Sequence, residues 1–158
     1  MKKFTRSLSL LLALLMLAAM LCACGSSAKN VPVADVVSAV GTAIGKTDLA
    51  DPGESYLKGY MKKSAAEVGE YAIRKNVVGT NIDEFGIFKA GTMKADELKS
   101  MAEAYLKVLQ DSWMNYQPEE EPKLRGAEVK VVGDYVMYAI LSDDDRAAAF
   151  DAFEKALK

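Results

Sequence analysis

Between Val68 and Lys158 the same order of signals occurs twice: two short β-type runs and then a long helical stretch. That order constrains the fold more than any single residue does. Val68–Val78 reads as a strand, with Tyr71, Ile73 and Val77 among polar neighbours, and Gly79-Thr80-Asn81 follows as a turn. Asp83–Ala90 reads as the returning strand through Phe85, Ile87 and Phe88. Lys94–Met114 then places Leu98, Met101, Ala102, Tyr105, Leu109 and Trp113 three or four apart, the spacing of one buried helical stripe. The second pass begins beyond Tyr116–Pro122, read as a rigid acidic loop. Glu128–Val132 and Tyr135–Leu141 flank Gly133-Asp134, a two-residue hairpin turn with glycine first. Ser142 precedes three aspartates as an N-cap, and Arg146–Lys158 reads as the closing helix, with Phe150, Phe153 and Leu157 inward.

Ahead of this doubled unit, Val31–Ile44 carries valines at helical spacing with Pro32 in its first turn, and Gly45 stops it. Lys46–Gly53 reads as a loop, and Glu54–Lys63 as a short helix with Tyr56, Leu57, Tyr60 and Met61 on its apolar side. Hairpins pair antiparallel without crossovers. The expected fold is therefore a two-layer α+β domain: a four-stranded antiparallel sheet ordered hairpin-helix-hairpin-helix, with helices on one face and short helices in front.

The first 23 residues stand apart. Lys2, Lys3 and Arg6 precede an apolar run from Leu8 to Leu21, and small residues lead to Cys24. The run is shorter than the roughly 18–20 residues of a membrane span, and it has the layout of a removable signal segment. Leu21-Cys22-Ala23-Cys24 resembles the lipobox of bacterial lipoproteins, which implies cleavage before Cys24 and lipid on that cysteine. Cys24 suits the acceptor role better than Cys22, whose neighbour Leu21 is bulky. The division expected is a signal peptide over 1–23, the lipidated cysteine and a tether over 24–30, and one α+β domain over 31–158. A diacylglyceryl group gives the two chains that firm anchoring requires. The six residues after Cys24 extend at most about 20 Å, so the domain is expected on the extracytoplasmic face, close to the bilayer.

Removing the signal takes the basic count from 20 to 17 against 22 acidic residues, a net charge of −5. A mildly acidic domain lacks the clustered Lys and Arg that nucleic acid requires. Loss of Cys22 and lipidation of Cys24 leave no pair for a disulfide. The chain contains no His. The usual base of Ser and Cys hydrolases and the commonest zinc ligand are thus missing, and no cofactor is expected. Carboxylates, Lys, Tyr, Ser and Thr remain, enough for a glycosidase-type or Ser-Lys enzyme.

Glu119-Glu120-Glu121 and Asp143-Asp144-Asp145 lack the alternating spacing and glycine of a calcium loop; they read as a solvated loop and a helix N-terminus. Lys89, at the end of an apolar strand, reads as an amine reaching to water. Glu70 and Glu84 could face each other across the first hairpin as glycoside hydrolysis requires, although surface pairing with Lys or Arg accounts for them more simply. Trp113, Tyr116 and Pro118 gather after the long helix. Core packing and helix exit explain them, while a recognition surface formed by Tyr116, Gln117, Pro118, Glu119 and Glu120 is the sharper alternative.

Asp83-Glu84-Phe85-Gly86-Ile87-Phe88-Lys89-Ala90, the helix behind it, Tyr116-Gln117-Pro118, and Val129-Lys130-Val131-Val132-Gly133-Asp134-Tyr135-Val136 resemble the DUF4358 family of small lipoproteins from Firmicutes, mostly clostridia. The resemblance runs from about Val31 to Leu157. It implies a Gram-positive surface lipoprotein and brings no catalytic residues. The expectation is a membrane-anchored extracytoplasmic binding or accessory module without catalysis, its partner an envelope protein, a peptide or a glycan. The alternative is a small carboxylate-dependent hydrolase acting on cell-wall material.

Overall fold

The computed structural model describes residues 28–46, 48–113 and 116–158. The signal segment and Cys24 lie outside the described residues. Helix α1 is Val33–Ile44, ended by Gly45 at φ +63°, a left-handed turn that glycine adopts without a Cβ penalty. Helical turn α2, Glu54–Tyr56, runs directly into a π-turn at Leu57–Met61, and α3 is Ala65–Val68. Strand β1 is Tyr71–Lys75 and β2 is Glu84–Lys89. Helix α4 is Ala95–Trp113 and α5 is Glu121–Arg125. Strand β3 is Glu128–Val132, β4 is Tyr135–Ile140, and α6 is Asp143–Leu157.

The α+β class, the four antiparallel strands and the hairpin-helix order stand as read. Strand order is β1-β2-β4-β3, so the second strands of the two hairpins pair at the centre and the first strands form the edges. Gly86 lies opposite Tyr138 in the β2–β4 register. The Tyr138 ring covers it so closely that a Cβ there would fall 2.2 Å from Cε1. This explains a glycine in mid-strand, where it otherwise weakens a sheet.

The two-layer expectation is corrected: helices cover both faces. On one side α4, α5 and the Leu57–Met61 turn bury Ile73, Phe88, Val136, Tyr138 and Ile140. On the other, α1 and α6 bury Phe85, Ile87, Tyr135, Met137 and Ala139. Every residue of β4 is buried. Tyr135–Leu141 is apolar without alternation, the pattern of a strand covered on both faces rather than one.

Smaller corrections have local causes. Ser64 and Glu67 form a capping box that starts α3, so Val68, expected as the first residue of a strand over Val68–Val78, ends a helical turn instead, and the strand is confined to Tyr71–Lys75. The short helix read over Glu54–Lys63 changes to π geometry at Leu57 and ends at Lys62, whose φ is +57°. The acidic loop leads into α5, with Pro122 in its first turn, where its missing N–H costs nothing. Ser142 caps α6 as read, accepting from Asp145 N.

Candidate functional site

At the Lys75–Glu84 end of the sheet, a cleft of about 560 Å³ opens between the β1–β2 loop, the α2 region and the chain leaving α4. That volume lies within the range of small-molecule sites. Its floor is Glu84, the first residue of β2, and it lies across from Lys75 in the β1–β2 register. Strand alternation turns Glu84 toward α4 beside Gly86 and Phe88, so its carboxylate enters the protein at only 2% exposure.

Three phenols meet this carboxylate. Tyr105 donates to Oε1 at 2.7 Å and Tyr138 to the same oxygen at 2.5 Å, while Tyr56 donates to Oε2 at 2.8 Å. The Tyr56 and Tyr105 hydroxyls are themselves 2.5 Å apart. Lys75 Nζ lies 3.6 Å from Oε2, donates to Tyr56 OH at 3.1 Å, and sits over the Tyr56 ring. Burial, followed by the charges of neighbouring groups, pushes all three phenols far above the usual tyrosine pKa. They therefore remain protonated donors. Glu84 is held as a structural acceptor, with both oxygens engaged and solvent excluded, which suits anchoring better than proton transfer or nucleophilic attack.

Aromatic rings wall the cleft. Tyr56 packs against Tyr60 at 4.5 Å between centroids, and Trp113 meets Tyr116 edge to face at 5.7 Å. Tyr60, Val77 and Tyr116 line it while remaining 49%, 56% and 74% exposed. This is an unusual density of large apolar surface around one opening.

A second charge cluster fixes the cleft's outer walls. Asp83 is buried and meets Lys46 at 2.6 Å and Lys123 at 2.7 Å. Lys46 also reaches Asp145 at 3.3 Å, and Lys123 reaches Glu120 at 2.8 Å. Glu120 in turn accepts from Ile82 N at 3.1 Å. Burial works to raise the Asp83 carboxyl, but the two lysines outweigh it and hold the group below its ordinary value. The β1–β2 loop, the ends of α1 and α6, and α5 are thereby tied at one point.

The residues read from sequence as a recognition surface divide. Tyr116 and Gln117 line the cleft. Pro118 and Glu119 are exposed and do not line it, and Glu120 turns back to Ile82 and Lys123. Trp113 is half-buried and serves both core and cleft. The surface assignment of Glu84 is corrected, and Glu70 does not face it. Glu70 sits at the other end of the hairpin, accepting from Val33 N at 2.6 Å and pairing with Lys89 at 3.1 Å. Asp143–Asp145 form the first turn of α6 as expected, with Asp143 paired to Arg146, whereas the run expected as a solvated loop ends in helix α5, where Glu121 pairs with Arg125.

Sequence reading missed Glu84 with its tyrosines, Lys75 and the Asn76–Ile82 wall. The available signal was a carboxylate opening an otherwise apolar strand, opposite a lysine. No curated protein and no solved structure matches the chain. The profile described as "Domain of unknown function (DUF4358)" matches residues 51–141, a span that holds the whole sheet and the cleft's lining and leaves α1 and α6 outside. The strand, loop and hairpin motifs all fall within that span, and the chain belongs to the DUF4358 family.

Proposed function

We propose that this protein is a lipid-anchored, extracytoplasmic binding or accessory module of a Gram-positive envelope, and that the aromatic cleft is its working surface. The observation that carries this reading is the position of the cleft relative to the tether. Ala28 lies against Gly133, Lys29 N donates to Leu157 O at 2.9 Å, and Val31 N donates to Tyr135 OH at 2.8 Å. All three contacts are at the β3–β4 turn end of the sheet. Strand β2 runs from Glu84 at the cleft to Lys89 beside that end, about 17 Å along the strand. Only Gly25, Ser26 and Ser27 separate Cys24 from Ala28. A lipid on Cys24 therefore holds the turn end at the bilayer and turns the cleft outward, toward an envelope protein, a peptide or a glycan.

The geometry favours binding over hydrolysis. Among the described residues lining the cleft, Glu84 is the single carboxylate, and its three phenol donors keep it occupied. Acid-base cleavage of a glycoside needs two carboxyl groups about the scissile bond.

The test is cross-linking in intact cells with a photoreactive side chain at position 116, compared with the same group at the exposed position 151 on α6. A discrete adduct from position 116 alone, lost together with membrane association in Cys24→Ala, is the expected result. Equal labelling from both positions, or membrane retention of the Cys24→Ala protein, would overturn the reading.

A further inference from the structure

The two edges of the sheet differ in what covers them. Gly133-Asp134 is a two-residue turn flanked by Val132 and Tyr135, which therefore exchange both backbone hydrogen bonds. Alternation gives the same role to Lys130 opposite Met137 and to Glu128 opposite Ala139. The N–H and C=O groups of Val129 and Val131 then point away from β4, off the edge of the sheet. Among the described residues no other backbone segment meets them, and the Val131 side chain is 37% exposed. The β1 edge is closed by contrast. Ala50 N donates to Lys75 O at 2.8 Å, Lys75 N donates to Ala50 O at 3.0 Å, and the Arg74 guanidinium donates to Ile73 O at 2.9 Å.

Bare edges are ordinarily guarded by a projecting lysine. Lys130, the one lysine of β3, is turned aside: it pairs with Glu154, and its Nζ lies 5.2 Å from the Phe150 ring, both on α6. On the opposite face a cavity of about 370 Å³ lies between α4 and this edge, with Leu106, Ala127 and Val129 in its lining beside Glu103 and Lys107. A strand added to β3 lies about 4.8 Å farther out and turns alternate side chains toward that face. A short β-branched side chain fits there, its methyl group toward Leu106 and a hydroxyl toward the charged rim.

Alternating outward donors and acceptors are satisfied as a set by another extended chain. A second copy fits poorly. A closed dimer pairs the two β3 edges antiparallel and so reverses one copy end for end. Tethers of three residues then could not bring both turn ends to one bilayer. Setting the second copy aside rests on the anchor reading above; the bare edge does not.

We infer that the β3 edge takes an extended segment of a partner protein as a fifth strand, with alternate β-branched side chains entering the cavity beside Leu106. This surface is distinct from the aromatic cleft.

The probe is a capped Thr-Val-Thr-Val-Thr peptide added in millimolar excess to the full chain in detergent micelles, read by ¹H–¹⁵N spectra and amide hydrogen exchange. The Val129 and Val131 amides are expected to exchange fast alone and slowly with peptide. Only alternate amides of an added strand face the protein. Of two versions N-methylated at the valines or at the threonines, one should therefore lose about tenfold or more in affinity and the other should bind as before. Val131→Pro removes an outward N–H that the fold does not use, so it should weaken binding about three- to tenfold with the melting temperature held. Equal binding by both N-methylated peptides would overturn strand addition. Protection of Val129 and Val131 without peptide, growing with protein concentration, would make a second copy the occupant and overturn the inference. Shifts confined to the cleft would overturn the edge and support the cleft as a peptide site. No protection with either peptide or copy would overturn the inference and leave the anchored reading to its own test at position 116.

Discussion

The two faces of the sheet are built from alternate residues of the same strands, yet they are different materials. The α1/α6 face is hydrocarbon over the body of the sheet: Val33, Val36, Val37 and Val40 lie against Phe85, Ile87, Met137, Phe150 and Phe153, the one phenol there, Tyr135, reaches out to Val31, and the buried charge of Asp83 with Lys46 is confined to its end. The α4 face carries an equally buried apolar set, interrupted by a carboxylate, three phenols and an ammonium group. A sheet needs only the first kind of face to be stable. Buried polar clusters are costly unless fully partnered, and where they are, they fix a unique geometry. In this protein the polar cluster underlies the cleft, so the face that carries the extra electrostatic cost is also the face with a surface to hold in shape.

The sharpest way to break this contrast is to remove the centre of each face. Glu84→Ala leaves three hydroxyls without their common acceptor and Lys75 without its counter-charge, and should cost about 3–5 kcal/mol. Phe153→Ala opens a cavity on the opposite face and should cost about the same, 3–5 kcal/mol. Chemical denaturation checks both. The two variants then separate in the near-ultraviolet circular dichroism of the folded state, where Glu84→Ala should alter the tyrosine signal and Phe153→Ala should leave it intact. Equal tyrosine signals would mean that Glu84 does not order the phenols.

Swapping a single hydroxyl between the faces is a smaller perturbation. Tyr138→Phe deletes one donor to the carboxylate and should cost about 1.5–3 kcal/mol, the range for hydrogen bonds to charged groups. Val36→Thr adds an unpartnered hydroxyl on the hydrocarbon face and should cost about 1–3 kcal/mol. If Tyr138→Phe proved neutral in urea denaturation, the phenol cage would not be a source of stability.

The ion cluster at Asp83 predicts a pH dependence with a definite sign. The folded-state pKa of Asp83 lies below its ordinary value of 3.8. Its contribution is therefore complete above about pH 5 and is lost as the pH falls through the folded value. Lys46 and Lys123 are raised above 10.5, Lys46 chiefly by its hydrogen bond to Asp83, and Lys123 by Asp83 and Glu120 against the opposing effect of burial. Their contribution is complete below about pH 10 and is lost above it. Asp83→Asn should cost about 1–3 kcal/mol at pH 7. It should also flatten both limbs of the stability–pH curve, and an unchanged acid limb would remove Asp83 from the account. The smallest effect expected is at the N-cap of α6, where Ser142→Ala should cost about 1 kcal/mol in thermal melts without touching the cleft.

Local signals in the sequence carried much of the fold. Glu128–Val132 is the strand that was read, because β-branched residues alternate and Gly133 supplies φ +56° at the turn. Ser142 and the valines of α1 behave as capping and periodicity dictate. Layering was harder to see because it depends on what lies across the sheet, and the unalternating run through Tyr135–Leu141 was the clue. The cleft was legible only in part. Tyr116 and Gln117 stood out as aromatic and amide groups on a loop. Tyr56 looked like part of a helix stripe and Glu84 like a surface acid, and Lys75 went unmarked within the strand expected over Val68–Val78, because their meeting depends on strand register and on a π-turn that no local pattern announces.

The most direct test of the division between the faces is a ¹H–¹⁵N spectrum of the full chain compared between the wild type and Tyr138→Phe. The account predicts shifts at Tyr56, Lys75, Glu84 and Tyr105, which share the carboxylate with the lost hydroxyl, with α1 and α6 unmoved. Shifts centred on α1, α6 or the β3 edge, or no shifts at all, would contradict it.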